Sequence, residues 1–562
     1  MKFKRCKIPV HLRFIAAGTS LGLFAGCVTT PQQISGPQYA PAANVVRQAR
    51  SSQVSAETRA ADYLQAAAMT GPLLGKGTEP TPARDTYNTA AAELTILLRS
   101  ADGGRLWNHP LTVTNGSATY HLRLQPASPY VWSPDYFTTF KLASSMKNQG
   151  RIKTLTEVGG VGGALVGVRL VTPPEDFAPK RGISAPVTAT LDFHGRDATL
   201  ALRRPARQPT ASVEGAVRPL AANYSAPLLY HKHINETLTG LQGAFAISHF
   251  SGPKGLRFLQ PYDPGRIPIV FVHGLMSTDQ MWLNMINDLE ADPVLRGRYQ
   301  YWEFGYPTGN PIAYSALRLR EALAKVDKTY PNHLGYVLIG HSLGGVVSHM
   351  QVTSLKRENW ERTVGEPARK VFATIRPGSL AHRGLVFNAN PQIKRVIFIC
   401  APHLGSKLAV SPIAELGMRL ITLPSHVAAT INNAVGKELE EARVIPDRPN
   451  VVSGLAPDSP TLKTMATVSV QAPYHSIIGN RGKPGPLIDS SDGVVGYRSS
   501  HMAKAQSEVI VPGPHGLVDY QQTIAEVKRI LYLHLKTSAT SKPAVTLTPL
   551  KPATRAAVIT RR

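Results

Sequence analysis

From residue 105 onward, apolar residues recur at every second position. Leu111 and Val113 alternate with threonines, Asn115-Gly116 interrupts, and Ala118, Tyr120, Leu122 and Leu124 resume the alternation. A period of two around Asn-Gly predicts a β-hairpin. Val187, Ala189, Leu191 and Phe193 repeat the pattern, and Ala198, Leu200 and Leu202 return after a turn at His194-Gly195. Residues 105–260 therefore read as a β-rich domain. Upstream the period is helical. Ala61, Leu64 and Ala68 share a face near 57–70, as do Tyr87, Ala91, Leu94 and Leu98 near 87–99. A helical hairpin is expected over 51–104. The glycine-rich run Gly159, Gly160, Gly162, Gly163 and Gly167 lacks dinucleotide spacing and is expected as a loop. Over 261–536 short apolar strands alternate with helical stretches, the pattern of a parallel α/β sheet.

Composition narrows the class. A chain of 562 residues is too long for one hydrophobic core, so two or three domains are expected. With 43% apolar and 17% charged residues the balance is globular. The formal net charge of +26 comes with no nucleic-acid motif, so a basic solvated surface is expected and no nucleic-acid partner. Attraction to anionic lipid stays open. The three cysteines, Cys6, Cys27 and Cys400, form no disulfide framework and no metal spacing. Cys400 is expected as a small buried residue at a strand end. His231 and His233 read as surface residues rather than metal ligands, and no metal or cofactor is expected. Residues 537–562 are basic, contain no acid, and read as a flexible tail.

The first residues carry an address. Lys2, Lys4, Arg5 and Lys7 precede an apolar run from Phe14 to Ala25, which is short for a membrane span. Leu23-Phe24-Ala25-Gly26-Cys27 resembles the lipobox of bacterial lipoproteins, although Phe24 stands where that family usually has Leu. The resemblance implies a signal peptide over 1–26, lipidation of Cys27, and, from Val28 after it, an outer-membrane lipoprotein of the cell envelope. Each buried CH₂ of the acyl chains would add about 0.8 kcal/mol of anchoring. An ordinary cleaved signal with a chance cysteine is the alternative. Residues 27–50, rich in Pro, Gln, Ala and Ser, read as a tether.

The chemistry is concentrated after residue 261. Tyr336 to Ile339 form a strand, Gly340-His341-Ser342-Leu343-Gly344 matches G-x-S-x-G, and Val346 to Met350 read as helix. This strand–turn–helix context is what a nucleophile elbow requires, and Ser342 is the candidate nucleophile. A serine hydroxyl needs a base and an oxyanion site to be useful. Ile267 to Val272 form a strand ending at His273-Gly274. In α/β-hydrolases, which this layout resembles, the loop after such a strand gives one oxyanion amide, which implies the backbone amides of Leu275 and Leu343 as the donors.

His-Gly after the first strand, GHSLGG, APHLGS at 401–406 and SDGVV at 491–495 together resemble the lipases and esterases of the α/β-hydrolase superfamily. The resemblance covers roughly half the chain. It implies an α/β-hydrolase fold, mostly parallel with helices on both faces, and a triad in the order Ser, acid, His. Carried over, the acid is Asp492, with Asp489 as rival, and the base is His515. His501 also follows the acid, but it precedes the last strand (508–511), whereas His515 sits on the loop after it. A lid is expected within 406–473, where Ile413, Leu416, Leu420 and Ile421 make an apolar helical run that an ordinary core helix would also explain. The implied function is hydrolysis of carboxylic esters, with a lipid or acyl ester as substrate. An acyltransferase using the same triad and a catalytically silent envelope-anchored binding protein are the alternatives.

Overall fold

The computed structural model describes residues 40–75, 77, 81–231, 255–275, 277–407 and 454–539. Cys27, His233, the four apolar residues of the expected lid helix and nearly all of the basic tail lie outside them.

The amino-terminal part is one two-layer unit. Helices α2 (Ala56–Thr70) and α3 (Pro82–Ser100) lie on a six-stranded sheet, and α1 (Ala40–Ala49) packs against both of them. Its strands β1 (Leu111–Thr114), β2 (Thr119–Leu124), β3 (Thr139–Leu142), β5 (Gly163–Arg169), β6 (Ile183–His194) and β7 (Asp197–Arg203) run in the order β1-β2-β7-β6-β5-β3. Two small ladders complete it, β4 (Glu157–Val158) with β10 (Ala222–Asn223) and β8 (Thr210–Val213) with β9 (Ala216–Pro219). The expected hairpin is β1–β2, with Asn115 Oδ1 accepting the amides of Ser117 and Ala118 in the turn.

Three expectations are corrected here. The stretch read as tether contains α1 over its described residues, and Val46 and Ala49 bury against α2 and α3. The helical hairpin and the β-rich segment share one core, from Val46 to Leu220, so residue 105 is no domain boundary. Neither layer could bury its apolar face alone. The glycine-rich run is partly strand, namely β5, because glycine lets the helical layer touch the sheet. A Cβ on Gly163 would meet the backbone of Ala92 at 2.5 Å, and one on Gly167 the ring of Phe137 at 2.8 Å.

The second unit is built on a seven-stranded sheet: β11 (Gly255–Phe258), β12 (Ile267–Val272), β13 (Tyr299–Gly305), β14 (Tyr336–His341), β15 (Ile393–Ile399), β16 (Tyr474–Asn480) and β17 (Ser507–Pro512). The order is β11-β13-β12-β14-β15-β16-β17, parallel throughout except for β11. Residues 255–258, read with the β-rich domain, thus belong to this sheet. Strand periodicity divides the apolar residues between two faces. Val270, Val272 and Leu338 join one core, and Ile269, Phe271, Val337 and Ile339 join the other. Burial on both faces is why these strands read as continuous apolar runs. The chain steps from β12 to β13 on one side, then returns to β14 on the other. Such a reversal opens a crevice at the carboxyl ends of the strands.

The two units are packed together. Phe177 stacks on Phe258 at 4.9 Å, Arg204 and Arg207 both pair with buried Asp263, and Lys153 Nζ reaches Asp519 Oδ2 at 2.8 Å. Among the described residues no helix is long and apolar enough to cross a membrane.

Candidate active site

Ser342 stands between β14 and the helix Leu343–His349, with φ +54° and ψ −123°. A left-handed φ at a non-glycine residue is strained, and it projects the side chain at the tip of the turn. The glycines around it answer specific contacts. A Cβ on Gly340 would lie 2.5 Å from the Gly344 carbonyl oxygen, and one on Gly344 would overlap the carbonyl oxygens of Val272 and His273. On Gly345 it would collide with Ala401. The motif is therefore a record of how closely β12, β14 and the loop after β15 crowd this turn.

Leu343 opens the helix, so its amide is among those a helix leaves without an internal acceptor. The loop after β12 packs on the same turn, since a Cβ on Gly274 would lie 3.0 Å from Ser342 Cβ. Leu275 follows in this loop, half-buried against the core. The loop is fixed from beneath. Tyr306 stacks on His273 at 4.6 Å, and its hydroxyl donates to the His273 carbonyl oxygen at 2.7 Å.

His515 lies on the loop after β17, and Asp492 on the loop after β16. His515 Nδ1 donates to Asp492 Oδ2 at 2.7 Å. The other oxygen, Oδ1, accepts the amides of Val494 at 2.8 Å and Val495 at 2.7 Å. Burial raises the Asp492 pKa, but the hydrogen bond and charge of His515 and the two amides lower it by more, and it ends below the ordinary carboxylate value. His341, the residue before Ser342, ties the histidine loop to the elbow. Its Nε2 donates to the His515 carbonyl oxygen at 2.8 Å, and the two rings lie 4.8 Å apart. Burial holds the His341 pKa down to about 3, with the neighbouring His515 adding to the effect, so the ring stays neutral and keeps its Nε2 proton for this bond.

The APHLGS and SDGVV segments meet. Ser406 Oγ donates to the Val494 carbonyl oxygen at 2.5 Å, Ser499 Oγ to that of Gly405 at 2.6 Å, and the amide of Leu404 to Ser499 Oγ at 3.1 Å. These bonds fasten the loop that carries Asp492.

The other candidates fall elsewhere. Asp489 is exposed and paired with Arg498 at 3.1 Å. His501 Nδ1 bonds Glu508 Oε2 at 2.7 Å, and its ring stacks on Tyr497. His231 Nε2 contacts Ser184 Oγ at 2.8 Å. Two residues near the pair were not singled out from sequence. His341 lies inside the motif, which was a signal. Cys400 was expected only as buried filling, yet the ligand atoms of Cys400, Asp492 and His515 all lie within 4.8 Å of one another.

No protein-family model and no curated protein sequence matches the chain. Solved structures do match part of it. A Bacillus licheniformis lipase in mature form is 16% identical over 50% of this chain and 99% of its own, with TM-score 0.29. Staphylococcus hyicus lipase is 15% identical over 50% of this chain and 98% of its own, with TM-score 0.31. An α/β-hydrolase-fold protein from Chitinophaga pinensis is 15% identical over 48% and 90%, with TM-score 0.25. The chain is thus similar to hydrolases over about half its length.

Proposed function

We propose that this chain is a serine hydrolase of α/β-hydrolase type that cleaves carboxylic esters, with Ser342 as nucleophile, His515 as base and Asp492 as the acid that orients it. The observation that carries the reading is the His515–Asp492 bond at 2.7 Å on a loop tied to the strained serine turn through His341. In the reaction, Ser342 Oγ attacks the ester carbonyl carbon while His515 Nε2 takes its proton. The amides of Leu275 and Leu343 hold the oxyanion. His515 returns the proton to the leaving alcohol, and the acyl group stays on Ser342. Water, deprotonated by His515, then releases the carboxylic acid. Asp492, ionised and held by two amides, stabilises the imidazolium formed in each half.

Ester turnover by the purified chain, compared with Ser342→Ala across a series of acyl lengths, tests this. The variant is expected to lose activity by several orders of magnitude with unchanged melting, because only one hydroxyl is removed. Near-normal turnover would overturn the assignment. An added alcohol acceptor separates hydrolysis from acyl transfer by its products.

We further propose that the substrate is a lipid or acyl ester met at the cell envelope, where lipidated Cys27 would hold the protein. Cys27→Ser is expected to move the chain to the soluble fraction. Retention on membranes after a high-salt wash would overturn the anchor.

A further inference from the structure

Two non-glycine residues hold a left-handed backbone at the carboxyl ends of neighbouring strands. Ser342 follows β14 with φ +54°, and Cys400 follows β15 with φ +49°. Main-chain bonds fix both: the Ser342 amide donates to the Ile399 carbonyl oxygen at 2.9 Å, and the Cys400 amide to that of Ile477 at 2.9 Å. Strain of this kind persists only where the surroundings impose it, and it gathers at functional sites. At Ser342 it presents a nucleophile. At Cys400 it sets a buried thiol beside Asp492, the ligand atoms of Cys400, Asp492 and His515 all lying within 4.8 Å of one another. The approach depends on Gly479 in β16. A Cβ there would come within 2.8 Å of Asp492 Cβ and 3.4 Å of Cys400 Sγ, pushing acid and thiol apart.

We propose that Cys400 is a positioning residue of this site, its S–H group donating to the Asp492 carboxylate and fixing that carboxylate against His515. This rests on the serine hydrolase reading. The carboxylate would then accept four donors: two backbone amides, the His515 imidazole and the thiol, which fills its acceptor capacity. Burial and the nearby negative charge of Asp492 both raise the thiol pKa, so it remains a donor rather than a thiolate. Among the described residues, His341 is held neutral beside His515, and Arg481 lies against Gly493, the residue after Asp492. Removing the S–H donor leaves Asp492 more basic. The imidazolium of His515 is then held more strongly, and the acid limb of the kcat/KM profile moves to higher pH.

Two measurements test this. In Cys400→Ala the acid limb is expected to rise by about half a pH unit with little change in KM, and Cys400→Ser, which keeps a donor, is expected to restore it. In full-length chain carrying Cys6→Ser and Cys27→Ser, Cys400 gives the single S–H infrared band. That band is expected at lower frequency than in the urea-unfolded chain, returning to the unfolded position in Asp492→Ala. An unmoved acid limb in Cys400→Ala, or a band at the unfolded position in the folded chain, would overturn the proposal. The band reports the bond whether or not esters are turned over. Failure of the serine hydrolase reading would therefore appear as absent turnover with the band still shifted.

Discussion

Two histidine–carboxylate pairs lie between residues 492 and 515, and their bond lengths are the same. His515 meets Asp492 at 2.7 Å, and His501 meets Glu508 at 2.7 Å. Everything around them differs. The Asp492 side chain is 1% exposed and takes two backbone amides on its second oxygen, whereas Glu508 is 22% exposed and shares its other oxygen with the Tyr497 hydroxyl. His515 is joined through its own carbonyl to the residue preceding Ser342, whereas His501 stacks on Tyr497, a neighbour four residues back. A carboxylate near an imidazole is thus no evidence of a catalytic pair by distance alone. What separates them is whether the acid is desolvated and held by main-chain donors, and whether the histidine loop is tied to the G-x-S-x-G turn.

The sharpest way to break this comparison is to remove each histidine in turn. His515→Ala is expected to lower kcat by several orders of magnitude in steady-state assays, as loss of a triad member does. Next in size is the elbow itself, which only the first pair adjoins. Gly344→Ala would drive a Cβ into the carbonyl oxygens of Val272 and His273, and is expected to destabilise the fold by on the order of 3 kcal/mol in denaturant titration, with activity lost alongside. The smallest effect is expected at the second pair. His501→Ala should change kcat less than about tenfold, or about 1.4 kcal/mol in barrier, because its ring bonds Glu508 and Tyr497 rather than the elbow loops. A reverse ranking of the two histidines would move the base to His501.

The same contrast explains what could be read from the chain. The elbow was legible because its glycines are fixed by contacts a few residues long in each strand, so the constraint is written as G-x-S-x-G. The loop order of the two histidines was legible: β17 begins at Ser507, after His501 and before His515. The hairpin at Asn115-Gly116 was legible from its period and its turn chemistry. Other features belong to tertiary contact and leave no local trace. Nothing around Cys400 says that its backbone would be left-handed or that the loop after β16 would bring Asp492 beside it. The shared core of α1–α3 with the β-rich segment was missed because each layer reads as complete until one asks what covers its apolar face. Residues 255–258 were assigned to the wrong unit because a four-residue strand carries no signal of which sheet it will join.

In the proposed reaction Ser342 is a nucleophile activated by His515. Mass analysis of the chain after treatment with a fluorophosphonate tests it most directly. A single phosphonyl adduct is expected, mapped by peptide mass to Ser342, formed at a near-normal rate in His501→Ala and greatly slowed in His515→Ala. An adduct on another residue, or labelling of Ser342 that is indifferent to the loss of His515, would contradict it.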